Sequence, residues 1–156
     1  MRNTLGKLFI GMAITAIAMF GADNSIGTWK RNVDKSKFTP PQTNPIKSLT
    51  LTYEAMDGGI KLTAAGERKD GTAINSSYTA KYDGKEYPVT GATWDTTSLK
   101  QIDANTFTFE NKKTGGKYHI TGRSVISKDG KTMTTTTKGT NAEGQPTTST
   151  IIYEKQ

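Results

Sequence analysis

This chain of 156 residues has no cysteine and a single histidine. Without cysteine there are no disulfides, no thiolate metal ligands, no Cys nucleophile and no N-terminal lipidated Cys. Stability must therefore come from burial and backbone hydrogen bonds. Hydrophobic residues make up only 33% of the chain, and prolines number five. Three of those prolines, Pro40, Pro41 and Pro45, crowd one short segment. That segment, Thr39 to Pro45, is barred from helix and reads as an extended, polyproline-like link.

Long apolar runs are also missing, with one exception at the start. Arg2 and Lys7 precede an apolar stretch from Leu8 to Phe20, which Gly21 and Ala22 close. A charged start, a short apolar run and small residues make a secretory signal peptide over residues 1–22, cleaved after Ala22 or after Ala18. The run is shorter than the ~20 residues a spanning helix needs, so no integral membrane segment is expected in the mature chain. Residues 23–156 then form one domain, exported to the periplasm or the extracellular space, and a monomer is expected.

Charge is moderate. The net charge of +7 falls to +5 once Arg2 and Lys7, two of the 21 basic residues, are set aside. The remaining lysines are scattered through turns and strands, whereas nucleic-acid binders cluster them, so no nucleic acid is expected as a partner.

What the chain has in quantity is turns. Asp57-Gly58-Gly59, Asp70-Gly71, Asp83-Gly84, Asp103-Ala104-Asn105, Gly115-Gly116, Asp129-Gly130 and Glu143-Gly144 punctuate it at near-regular intervals. Such pairs suit tight hairpins, and the segments between them alternate in polarity. Leu49, Leu51 and Tyr53 oppose Ser48, Thr50, Thr52 and Glu54, for example. The pattern predicts an all-β protein, an antiparallel up-and-down meander of 8–10 strands. Closure into a barrel would remove its exposed edges, leaving an interior either packed or hollow. The low hydrophobic content and the inward parity of Ser76, Gly122 and Ser124 suit a hollow barrel. Equally, small residues let strands bend at barrel corners. Thr134 to Thr137 reads as strand.

No catalytic constellation is visible. His119 lies on the polar parity of its strand, no Gly-x-Ser-x-Gly elbow accompanies it, and no carboxylates are spaced to share a metal with it. The aspartates sit in turns, which turn chemistry explains. The expectation is a protein that is not an enzyme, with no catalytic residues, metal or cofactor. The aromatics are spread about one per strand. Tyrosine joins an apolar ring to a hydroxyl, so inward tyrosines could hold an amphiphilic molecule. Candidate ligand-binding residues are Tyr53, Tyr78, Trp94, Phe109 and Tyr153.

Two terminal motifs carry a resemblance. Ile26-Gly27-Thr28-Trp29-Lys30, followed by Ser36-Lys37-Phe38, resembles the opening of the calycins, the superfamily of lipocalins and fatty-acid-binding proteins. Thr150-Ile151-Ile152-Tyr153-Glu154-Lys155 resembles the last strand of fatty-acid-binding proteins, commonly Thr-Arg-x-Tyr-Glu-Lys. The Gly-Thr-Trp-Lys start and the repeated Asp-Gly turns are similar to those of bacterial secreted lipocalin-like proteins. The resemblance implies a calycin-like barrel, with Gly27 and Trp29 at its base and a basic side chain, Arg123 or Lys155, stacked on Trp29. It also implies a small hydrophobic or amphiphilic ligand in the cavity. Two departures stand out. Ile151 occupies the place of the carboxylate-binding arginine, and Thr39 to Pro45 leaves no room for the helical lid. Avidins share Gly-Thr-Trp, but of their further tryptophans only Trp94 has a counterpart.

The sequence therefore supports an exported carrier or scavenger of a small, largely hydrophobic molecule. An interaction module whose outer face binds an envelope protein or a glycan is the alternative.

Overall fold

The structure, a computed structural model, describes residues 21–156. Residues 1–20, and with them most of the expected signal peptide, lie outside the described residues. The strands are β1 (Gly27–Thr39), β2 (Ile46–Met56), β3 (Gly59–Arg68), β4 (Ala73–Lys81) and β5 (Tyr87–Thr90). They continue with β6 (Thr96–Asp103), β7 (Thr106–Lys112), β8 (His119–Ile126), β9 (Thr132–Thr140) and β10 (Pro146–Lys155). Each pairs antiparallel with its sequence neighbour, and β1 pairs with β10 to close the barrel. Closure pairs the first strand with the last, so no strand is left as a free edge of the sheet. No helix caps it among the described residues.

Alternation fixes which side chains face in. On β2 Leu49, Leu51 and Tyr53 are buried, and on β9 Met133 and Thr135. The threonine run is thus strand, its odd-numbered members inward. Hairpins turn where expected. Gly58 and Gly130 adopt φ of 73° and 71°, a region open to glycine without steric cost.

Because the strands run up and down, the β2–β3, β4–β5, β6–β7 and β8–β9 turns share one end with the start of β1 and the end of β10. This end is the packed base. Trp29, Ile60, Leu99 and Met133 are fully enclosed there, and Phe107 meets Tyr53 edge-on with ring centroids 6.0 Å apart. The Trp29 indole donates to the Ser25 carbonyl at 2.7 Å. Tyr82 donates to Asp23 at 2.6 Å, and the Asn24 amide to the Ala104 carbonyl at 2.9 Å. Residues 23–25 therefore tie down the floor of the barrel.

The sequence reads Ile26 to Lys30 as the first strand, with Asn32 to Phe38 leading into the proline-rich link. The structure has one strand with a bulge between Asn32 and Lys37. Ser36 makes this possible, since its hydroxyl donates to the Asn32 carbonyl at 2.7 Å and accepts from the Ile152 amide at 3.1 Å. A hydroxyl thus stands in for ladder partners that the extra residues displace. Past Lys30 β1 stays on β10 but leaves β2, whose pairing with it covers only Gly27 to Lys30. A cleft opens between the two strands above that point.

Candidate binding lumen and cleft

At the mouth end inward side chains are only partly covered. Leu62, Ile74, Tyr78, Phe109 and Ile151 point into the barrel yet keep intermediate exposure, packed against the buried core below them. The base is filled and the upper half is open to solvent.

Two kinds of wall line this interior. The β6–β10 side carries cross-strand polar pairs: Thr97 donates to Asn111 at 2.7 Å, Ser124 meets Thr135 at 2.8 Å, and Thr137 meets Ser149 at 2.6 Å. These groups satisfy each other. Leu49, Leu51, Leu62, Ala64 and Ile74 form the opposite, apolar side. Tyr53, Tyr78 and Tyr153 face inward between them, close enough to perturb one another. Burial pushes the Tyr53 phenol well above its usual value, with Tyr78 and Tyr153 adding to the shift. Tyr78 is raised for the same leading reason. Tyr153 is pushed up to about 12 by burial, while nearby Arg31 pulls it back down. All three are neutral donors at physiological pH, and none of their hydroxyls bonds another described residue.

Of the other predicted positions, Phe109 lies on the lumen wall opposite Gly122. Trp94 stands apart from the tyrosines, in the β5–β6 loop. Its ring is stacked on Tyr118 with centroids 5.4 Å apart and planes 11° from parallel. The Trp94 indole N–H is sealed off without an acceptor.

Gly27 and Trp29 sit at the base, and Lys155 holds the place over Trp29, its Nζ 5.1 Å from the ring. The alternative expectation of Arg123 in that place is corrected: Arg123 is exposed on the outer face of β8. It pairs across the ladder with Thr108 and Thr136, which also face out. His119 is exposed too, its Nε2 2.6 Å from a Glu110 carboxylate oxygen. Among the described residues no three His, Cys, Asp or Glu gather as metal ligands.

Sequence reasoning missed Arg31. It is only 6% exposed and is the one charged side chain among the buried described residues. Its place was readable from parity, because it follows Trp29 by two along β1 and so shares its inward face. Arg31 pairs across the ladder with Tyr153. Its guanidinium lies 4.7 Å from the centroid of Phe38. With Val33, Ser36, Phe38, Pro41 and Pro45 it lines the cleft between β1 and β2, a concavity of about 220 Å³.

A larger concavity of about 480 Å³ lies on the outer face of β6 to β9, where Lys100, Arg123 and Lys138 stand among Ser98, Thr121, Thr136 and the carboxylate of Glu110.

No family model and no curated protein matches the chain. Among solved structures, the S-type phycobiliprotein lyase CPES from Guillardia theta is similar, with a TM-score of 0.53 and 10% identity over 85% of this chain and 89% of that one. EF1p2_mFAP2b bound to DFHBI is similar over 85% of this chain and 94% of that one, with a TM-score of 0.48 and 9% identity. The fold is a calycin-like barrel. The lyase corrects one expectation. Absence of a catalytic motif led to the reading that the chain is not an enzyme, but a barrel of this fold is an enzyme, so the architecture does not exclude catalysis.

Proposed function

We propose that this protein is exported, to the periplasm or the extracellular space, and binds a small, largely hydrophobic or amphiphilic molecule in the upper half of its barrel. One observation carries the reading. Three neutral tyrosine hydroxyls, on Tyr53, Tyr78 and Tyr153, converge without described partners beside an apolar wall, inside a barrel open at one end. The hydroxyls are not among the sealed polar atoms and so face the solvent of the lumen, and a few polar groups on a mostly apolar pocket wall are what fixes a ligand's orientation. Phe109 completes the wall and Trp94 stands at the rim. Lipocalin-like proteins secreted by bacteria remain the group whose motifs it most resembles.

Native mass spectrometry of the purified protein, with uptake of an uncharged solvatochromic dye such as Nile red, tests this. A co-purifying small molecule, or saturable dye uptake lost on Tyr78→Trp, is expected. Protein of bare mass that takes up no dye overturns the reading.

The outer groove favours a second one, in which Lys100, Arg123 and Lys138 recognise an anionic envelope glycan. Retention on such a glycan, abolished by replacing these three side chains while dye uptake persists, would put the activity outside.

A further inference from the structure

Four Asp-Gly pairs occur in the chain, at Asp57-Gly58, Asp70-Gly71, Asp83-Gly84 and Asp129-Gly130. Such pairs can rearrange without any enzyme. The glycine amide nitrogen attacks Cγ of the aspartic acid, an N–C bond forms, and the carboxyl hydroxyl leaves with the amide proton as water. Solvent water then opens the cyclic imide at either carbonyl. One opening restores aspartate, and the other gives isoaspartate, in which the main chain runs through Cγ. Glycine favours ring closure because it puts no side chain in the way. All four aspartates are exposed, so access to water does not separate them. Their hydrogen bonds do.

At three of the pairs both reacting groups are engaged. The Gly71 amide donates to the Arg68 carbonyl at 3.0 Å, that of Gly84 to the Leu99 carbonyl at 2.9 Å, and that of Gly130 to the Ser127 carbonyl at 2.9 Å. The carboxylates are held as well. Asp70 accepts from the Thr72 amide at 2.9 Å, Asp83 from the Lys85 amide at 3.0 Å and Asp129 from the Lys131 amide at 3.0 Å. Hydrogen bonds hold these three carboxyls below their ordinary value, the leading donors being Thr72, the Lys85 amide and Ser127. Ring closure needs the acid form, which such bonds make scarce. At Asp57-Gly58 both restraints are missing. Among the described residues nothing accepts from the Gly58 amide and nothing donates to the Asp57 carboxylate, and neighbouring Lys61 is paired with Glu54 instead.

We propose that Asp57 is a site of spontaneous isomerisation in the folded protein, the one Asp-Gly turn of the four that the fold leaves free to form isoaspartate. The position gives the change reach. Asp57 and Gly58 make the turn between paired Met56 and Gly59, and a side chain at Gly59 would overlap the Ala80 carbonyl, so the turn is packed against the end of β4. The Gly58 carbonyl accepts from the Tyr82 amide at 2.9 Å, and the Tyr82 hydroxyl donates to Asp23 at 2.6 Å. An added main-chain carbon therefore acts on the floor of the barrel, next to fully enclosed Ile60.

The test ages purified protein for several weeks at physiological temperature and pH, folded in one sample and unfolded in urea in another. Tryptic peptides are then resolved into aspartate and isoaspartate forms by electron-transfer fragmentation, with residues 48–61 carrying Asp57. In the folded sample isoaspartate should gather at Asp57 at least about tenfold faster than at Asp70, Asp83 or Asp129, the scale of one hydrogen bond that must first break. In urea the four should converge, because the local chemistry is the same. Methyl transfer from S-adenosylmethionine by an isoaspartyl methyltransferase gives an independent total, and Asp57→Glu should remove most of that signal from aged folded protein, since a glutamate does not close the same ring. Comparable conversion at all four sites of the folded protein overturns the proposal, as does a lead by any of the other three. So does an Asp57 that stays intact in the fold while the urea sample converts.

Discussion

The Phe109 ring occupies the space that a side chain at Gly122 would need. The two residues face each other across the β7–β8 ladder, and a Cβ at position 122 would overlap three atoms of the ring. A glycine on one strand is covered by an aromatic from the next, which keeps a bend in the wall without leaving a hole.

Gly122→Ala should therefore push Phe109 off its seat and into the lumen. We expect a loss of about 1–3 kcal/mol, the usual range for forcing an extra carbon into a packed site. Chemical denaturation measures it. The companion Gly122→Ala/Phe109→Leu variant should recover part of the loss, because the smaller side chain yields the room.

Lys155 caps Trp29 at the base, with its Nζ 5.1 Å from the ring centroid. Lys155→Met keeps the aliphatic cover and removes the charge, so it should cost about 0.5–1 kcal/mol, the worth of an exposed cation–π contact. Arg123→Met, in the same denaturation series, should fall within about 0.5 kcal/mol of wild type, as outward side chains generally do.

Alkaline pH should unfold this protein, and the sign follows from the tyrosines. Tyr53, Tyr78 and Tyr153 are all raised in the fold above the ordinary value of 10.0, chiefly by burial. The unfolded chain loses those protons first. Stability from them is complete below about pH 10 and drains away as pH climbs through the raised folded values, about 12 for Tyr153. Near-ultraviolet tyrosinate absorbance and far-ultraviolet circular dichroism, followed together against pH, should show the buried tyrosines ionising only as the barrel opens. Tyr78→Phe should shift that transition to higher pH.

Trp94 offers an optical check on the rim. Stacked on Tyr118 and with its N–H enclosed, it should fluoresce as a protected indole. Tyr118→Ala should red-shift the emission toward that of solvated tryptophan, while Trp29 at the base keeps its own spectrum.

The meander was legible because its causes are local. Turn pairs such as Asp57-Gly58 permit the backbone angles of a hairpin, and period-two alternation such as Leu49, Leu51 and Tyr53 declares an inward face. Neither depends on the rest of the chain. Local signals ended the first strand at Lys30, whereas the bulge held by Ser36 carries β1 on to Thr39, since that hydroxyl acts on a residue more than a hundred positions away. They also failed for Trp94. An aromatic in a loop shows no parity, and its stacking partner is set by where the β7–β8 loop lands.

By itself the sequence determined the strands, their order and the inward tyrosines, because hairpin geometry and alternation are short-range properties of the chain. Tertiary structure alone decided that Lys155 and not Arg123 covers Trp29. It also decided that β1 parts from β2 above Lys30, and that Arg31 is left in the resulting cleft without a partner. Those outcomes turn on which distant side chains barrel closure brings together, and closure joins the first strand to the last, a contact that no local pattern encodes.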